Sequence, residues 1–172
     1  MYTPPSWDEW FMRMAYLVAT KSKDPSTKVG AIVVKDKRII SVGYNGMCAG
    51  VQEAVDLYPE RYERPEKYYW FEHAERNSIF SAAKFGISTD GTIMYTQGIP
   101  CADCGRAIIQ SGIARVVVHK QRADLDTGKE REKWNENAQR TSIMFHEANV
   151  KLDMFDQILG VITFINGQQL SV

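Results

Sequence analysis

The sequence is poor in cysteine, in net charge and in long apolar runs, and each shortage removes a class of protein. Three cysteines, Cys48, Cys101 and Cys104, cannot staple 172 residues, so a core must hold the fold. The close pair then reads as metal or redox chemistry in a reducing compartment. Twenty-one basic residues balance twenty-one acidic ones, which leaves no electrostatic footprint for a nucleic-acid polymer. A local basic pocket for a small anion stays open. No apolar run approaches the roughly 18 residues of a membrane helix, and MYTPPSWDEW lacks the charged-then-apolar order of a signal peptide. A cytoplasmic protein with no membrane partner is expected. Repeats and low-complexity tracts are also missing. What is there, 44% hydrophobic and 24% charged residues, predicts one globular domain over 1–172.

Ser6 followed by Glu9 is a capping box, and Trp7, Trp10, Phe11, Met14, Leu17 and Val18 share a face, which predicts a helix over about 7–20 with that stripe in the core. Asp24-Pro25 breaks it. GAIVV and RIISVGY around the polar KDKR predict an antiparallel hairpin. No clear element follows until about Phe71, beyond a short helix in VQEAVDLYPERY, although the aromatics from Tyr58 to Phe71 argue against disorder. Further on, HAERNSIFSAAKFG is a helix stopped by Gly86, TIMYT a strand and CADCGRAIIQSG a helix. ARVVVH is a strand buried on both faces, 130–149 a long helix and VKLDMF a strand, with ILGVITFI unassigned. Alternating strands and helices from 92 to 155 imply parallel crossovers beside the hairpin. The expected architecture is a three-layer α/β/α domain on a mixed sheet.

Within HAERN, His73 and Glu75 are two positions apart, about 200° around a helix, so they share a site only at a helix N-terminus. Cys101 and Cys104 are i and i+3 in the first turn of another helix, where both sulfurs share a face and the helix dipole favours thiolates. Two thiolates and an imidazole neutralise Zn²⁺ and leave one tetrahedral position for water, the mark of a catalytic site. Glu75, beside the metal, is the candidate proton shuttle. By itself C-x-x-C also fits a thioredoxin-like redox pair or half of a structural zinc site. The redox reading has no use for His73 and Glu75, and the structural one lacks a second cysteine pair.

H-x-E followed by P-C-x-x-C is the signature of zinc nucleobase deaminases. Over nearly its whole length the chain resembles the deoxycytidylate (dCMP) deaminase family of the cytidine deaminase-like superfamily, in SWDEWFMRMAYLVATKSKDPSTKVGAIVV, GYNGM, HAERN and PCADC. The resemblance implies the cytidine deaminase-like fold with about five strands. It also implies hydrolysis of dCMP at C4 to dUMP for thymidylate synthesis, with Glu75 protonating N3 and then the departing ammonia. It puts Asn45 on the nucleotide sugar, with Ala74 among the substrate-binding residues; the alternative for Asn45 is a left-handed turn residue between glycines. It makes Gly43, Tyr44 and Gly46 part of an effector pocket for dCTP as activator and dTTP as inhibitor, with Mg²⁺ accompanying the triphosphate, in a hexamer or other homo-oligomer. Cys48 stands where the family commonly has proline, and Glu53 and Asp56 beside it do not suit a triphosphate. Cys48 itself is expected to be a packed or incidental thiol.

HKQRADLDTGKEREKW after the last predicted parallel strand departs from the family and carries His119, Lys120, Arg122 and Lys129. It is either a solvated loop or a 5′-phosphate clamp at the strand's C-terminal end. Lys120 and Arg122 are the preferred clamp residues, with Lys28 next. Other readings are a different or modified cytosine nucleotide as substrate, or a catalytically silent regulatory zinc protein. Retention of Glu75 opposes the last, and zero net charge opposes a tRNA substrate.

Overall fold

A computed structural model describes residues 2–125 and 129–172, except that the side chains of 123–134 stand outside the description. Lys129, one of the four residues of the basic cluster, is among those. In chain order the elements are α1 (Trp7–Ala19), β1 (Gly30–Lys35), β2 (Arg38–Tyr44), β3 (Gly46–Met47), a 3₁₀ turn (Pro59–Tyr62), α2 (Lys67–Trp70), β4 (Phe71–Glu72) and α3 (Ala74–Lys84). Then come β5 (Ile93–Thr96), α4 (Ala102–Gln110), β6 (Arg115–His119), α5 (Lys120–Leu125), α6 (Lys129–Glu147), β7 (Lys151–Phe155), β8 (Ile162–Ile165) and β9 (Gln168–Ser171). Five strands form the main sheet in the order β2-β1-β5-β6-β7. The pairs β2/β1 and β1/β5 are antiparallel, and β5/β6 and β6/β7 parallel. This is the mixed sheet that the alternation of elements predicts. Asp36 and Lys37 turn the hairpin with positive φ, as a two-residue primed turn requires.

Strand alternation sorts the core into two layers. Ile32, Val34, Tyr95 and Val117 face α1, packing on Phe11, Met12, Ala15 and Tyr16. Val33, Met94, Val116 and Val118 face the opposite layer, packing on Ile108 of α4 and Phe145 of α6, with Ile79 of α3 beside them. The side-chain period of two puts neighbouring residues of each strand on opposite faces, so both layers are built from the same three central strands.

Two expectations need correction, and one unassigned stretch finds its place. The buried face of α1 is Phe11, Met12, Ala15, Tyr16 and Ala19, whereas Trp7, Trp10 and Leu17 are exposed. The reason is close approach: a Cβ on Gly30 would lie 2.2 Å from Ala15 O, so α1 meets β1 through small residues and its bulky stripe turns aside. The basic segment expected as a loop opens as helix α5 directly after β6. The unassigned C-terminal stretch supplies a hairpin, β8/β9, docked on the loop before β1 through Lys28 N–H to Phe164 O and Gly167 N–H to Ser26 O.

The stretch between β3 and β4 is ordered by aromatic stacking, as its composition suggests. The Arg61 guanidinium lies 3.9 Å from the centroid of the Tyr58 ring and 4.0 Å from that of Trp70, and Tyr62 meets Phe71 edge-on. Among the described residues no helix is long and apolar enough to cross a membrane.

Candidate active site

His73 and Cys101 are N-cap residues of α3 and α4, both with extended backbone (φ −78°, ψ 152° and φ −65°, ψ 167°). A cap residue is not bound to helical side-chain spacing, so His73 and Glu75 reach one site although they are two positions apart. The placement of α3 is set by β2. A Cβ on Gly43 would stand 2.3 Å from Ser78 N and 2.4 Å from Ala74 O, so only glycine lets the helix lie this close. Ser41 Oγ donates to Ser78 O and Asn77 Nδ2 to Tyr44 O, tying the two elements along their length.

His73 Nδ1 lies 3.5 Å from both Cys101 Sγ and Cys104 Sγ. In a tetrahedral zinc site with ligands at 2.0–2.3 Å, neighbouring nitrogen and sulfur donors stand about 3.6 Å apart. The donor set therefore fits zinc in chemistry and in spacing. Its electrostatics also call for a cation. A hydrogen bond from Cys104 and the neighbouring His73 pull the Cys101 thiol down to about 4, against its burial, and Cys104, sharing that proton, is pushed up. Burial disfavours the His73 imidazolium, yet the Cys101 sulfur and Glu75 raise its pKa. Among the described residues this trio is the one His, Cys or carboxylate cluster with donors close enough for a metal. Cys48 is exposed and outside it.

Glu75, buried, places Oε2 3.7 Å from Cys104 Sγ, close to the metal donors without being one of them. Burial pushes its carboxyl pKa upward, with His73 opposing. A carboxyl whose hold on a proton is strengthened by burial suits a group that must both take and give one. His73, Ala74, Glu75 and Cys101 line a cavity of about 200 Å³, and Asn45, Arg122 and Phe71 contribute other walls.

Asn45 is not in the left-handed region, so the turn reading fails. Its Oδ1 accepts from Val29 N–H (2.8 Å), while Nδ2 donates to Asp24 Oδ2 (3.1 Å) and Thr27 O (2.8 Å). Arg122 is buried, with Nη1 3.9 Å from where a Cβ on Gly98 would stand. The other two clamp candidates are not brought to the cavity. Lys120 is half-exposed and paired with Asp156 at 2.6 Å, and Lys28 donates to Ser22 O beside the Phe164 ring. His119 is no surface cation: it is fully buried, with Nδ1 2.8 Å from Tyr16 Oη and Nε2 2.9 Å from Gln157 O. Gly43, Tyr44 and Gly46 also lie off the cavity, Gly43 against α3 and Gly46 beside the Tyr44 ring and Glu53.

Two polar pairs stand out among the wall residues that the sequence reading does not name as site residues. Lys67 and Asp24, both buried, pair at 2.8 Å. Burial by itself would raise Asp24, but Lys67 and the N–H groups of Ser26 and Thr27 hold it below the usual carboxylate range. Arg64 Nη2 and Asn166 Oδ1, 3.3 Å apart, bring the C-terminal hairpin to the cavity. Asp24 carries one available signal, an Asp-Pro-Ser-Thr turn that traps its own carboxylate. The other three have none, because their meeting is tertiary.

The chain matches the family profile of the cytidine and deoxycytidylate deaminase zinc-binding region over residues 5–120. It is 38% identical over 146 residues to an uncharacterized deaminase in the luxG 3′ region of Aliivibrio fischeri, covering 85% of this chain and 91% of that one. Against the deoxycytidylate deaminase of Mus musculus identity is 40% over 116 residues, 64% of this chain and 63% of the relative. It spans 58% of the length of ComE operon protein 2 of Bacillus subtilis, at 39% identity. In fold it resembles a cyanophage S-TIM5 dCMP deaminase solved with dCMP and dUMP, with a TM-score of 0.64 at 24% identity, over 90% of this chain and 100% of that one. Fold, zinc-binding donor set and a match across two thirds of the sequence agree: the chain belongs to the cytidine and deoxycytidylate deaminase zinc-binding family.

Proposed function

We propose that this protein is a zinc-dependent hydrolase that deaminates dCMP to dUMP, a supply of the precursor for thymidylate. The observation that carries the reading is the His73, Cys101 and Cys104 trio, with sulfurs 3.5 Å from Nδ1 and the buried Glu75 carboxyl beside it at one cavity wall. His73 Nδ1 and the two sulfurs would hold zinc, which when bound supplies a water acidified enough to attack at neutral pH. Glu75 would accept the proton of the attacking water and deliver it to N3 of the cytosine ring, then take the proton of the new C4 hydroxyl and pass it to the amine, which leaves C4 as ammonia. Its desolvated carboxyl suits both directions of transfer. Ala74 and Phe71, both in the cavity wall, would bound the base.

Asn45 holds the sugar, and Arg122 takes the 5′-phosphate through charge-assisted hydrogen bonds. Arg122 is the one member of the predicted clamp that is both a described cavity-lining residue and buried. Homo-oligomerisation and control by dCTP and dTTP with Mg²⁺ belong to the proposal, supported by the GYNG resemblance, and a cytoplasmic location is proposed with them. Ammonia release from cytosine, cytidine, deoxycytidine, CMP, dCMP and dCTP tests the substrate, and repeating the dCMP assay with dTTP and then dCTP tests the control. The reading expects dCMP to lead the panel. A panel led by an unphosphorylated base or nucleoside would overturn it.

A further inference from the structure

Lys67 is a charged residue in a cavity wall, yet it has no donor to offer a ligand. Its ammonium gives Asp24 Oδ2 (2.8 Å), Asp24 Oδ1 (3.2 Å) and Ser26 Oγ (2.6 Å), which uses its three N–H bonds. It lies on α2, 43 residues from Asp24 along the chain, so local turn geometry does not explain the pair. Buried ion pairs are poor stabilisers compared with apolar packing of the same volume. Its place in the wall therefore asks for another reason.

The reason lies one bond further on. Asp24 Oδ2, gripped by Lys67, is also the acceptor for Asn45 Nδ2. Thr27 O takes the second amide proton, and Val29 N–H, which can only donate, takes Oδ1. These partners permit one orientation of the amide. With both N–H bonds used inside the wall, the capacity left to Asn45 is one lone pair on Oδ1. Such a group accepts from a hydroxyl and offers nothing to a phosphate or a carbonyl. A 5′-phosphorylated 2′-deoxynucleotide has one sugar hydroxyl, the 3′-OH.

We infer that the Lys67–Asp24 pair is a positioning device that holds the Asn45 amide as a pure acceptor and so makes the enzyme select nucleotides with a free 3′-hydroxyl. The inference rests on the proposed reading of the cavity as a nucleotide site. Without Lys67 the Asp24 carboxylate is left buried without a counterion, and protonation or hydration of Oδ2 loosens its hold on the amide. Lys67 acts through Asp24 and Asn45 and touches no substrate.

The test compares dCMP with 2′,3′-dideoxycytidine 5′-monophosphate by ammonia release from the zinc-loaded protein. The wild type should favour dCMP in kcat/KM by about tenfold or more, the scale of one hydrogen bond lost with its partner left unpaired. In Lys67→Met that ratio should fall toward one, with the loss for dCMP appearing in KM and zinc content preserved. Should Lys67→Met fail to fold, the double variant Asp24→Asn/Lys67→Met buries no charge and still removes the carboxylate acceptor, and it should show the same collapse. A folded, zinc-loaded variant that keeps the wild-type ratio overturns the role of Lys67. A wild type that turns over both nucleotides equally well overturns the acceptor role of Asn45 while leaving dCMP deamination standing. A wild type that releases no ammonia from dCMP removes the function reading, and this proposal with it.

Discussion

Arg122→Gln should raise KM for dCMP by about 10- to 100-fold with kcat little changed, whereas Lys120→Ala should leave both constants alone. The two residues are two positions apart in a basic segment whose sequence offers them equally. The structure separates them: Arg122 is 8% exposed and lines the cavity, while the Lys120 and Asp156 side chains are 48% and 54% exposed at the surface. A charge-assisted hydrogen bond to a desolvated phosphate is worth about 1.5–3 kcal/mol, which sets the expected change in KM. An exposed ion pair contributes about 0–1 kcal/mol, so Lys120→Ala should also leave Tm nearly unmoved. Loss in KM alone is the signature of binding shared by ground and transition states. The assay is steady-state ammonia release, with deoxycytidine as the control substrate whose weak turnover should not respond to Arg122→Gln. Equal KM values in wild type and Arg122→Gln would refute the clamp and direct the search to Arg64 at the hairpin.

Gly43→Ala should destabilise the protein by about 1–3 kcal/mol and weaken zinc retention together, since the new Cβ meets backbone at the head of α3, where His73 and Glu75 begin; thermal melts and metal analysis read both. His119 is buried neutral with its pKa lowered by desolvation. The unfolded chain therefore binds a proton that the folded one refuses, and the stability His119 provides is complete above about pH 6.5 and declines as pH falls below it. The Tm advantage of wild type over His119→Gln should shrink from pH 8 to pH 5, and parallel curves would contradict the burial account. Chelation of zinc should lower Tm and let iodoacetamide modify Cys101 ahead of fully buried Cys104, because its thiol is pulled down to about 4; mass spectrometry of the two peptides gives the order.

The meeting of His73, Cys101, Cys104 and Glu75 was legible in the sequence because their spacing is local. A cysteine pair at i and i+3 and an H-x-E at a helix entry each need only one helix terminus, and α3 and α4 begin at those two motifs. The sheet was legible for a related reason: alternation within GAIVV, TIMYT and ARVVVH fixes which side chains face each layer. The cavity walls were not. Asp24, the Arg64 to Lys67 stretch and Asn166 come from three separate segments, and Asn166 arrives only when the C-terminal hairpin docks on the loop before β1. Hydrophobic size points to tryptophan for the buried face of α1, whereas the close approach of helix to strand is made by Ala15 and Ala19 against Gly30. His119 reads as a surface cation beside Lys120, yet it ends a strand whose last four residues are buried. Charge in a sequence does not report which side of a sheet edge a residue will take.

Glu75→Gln tests the central claim most directly, since it removes the proton carrier and leaves the three metal donors in place. Metal analysis and ammonia release from dCMP are measured on the same preparation. The account predicts about one zinc per chain, as in the wild type, and turnover reduced by about 10²–10⁴-fold. Turnover within a few-fold of wild type at full zinc content would contradict it.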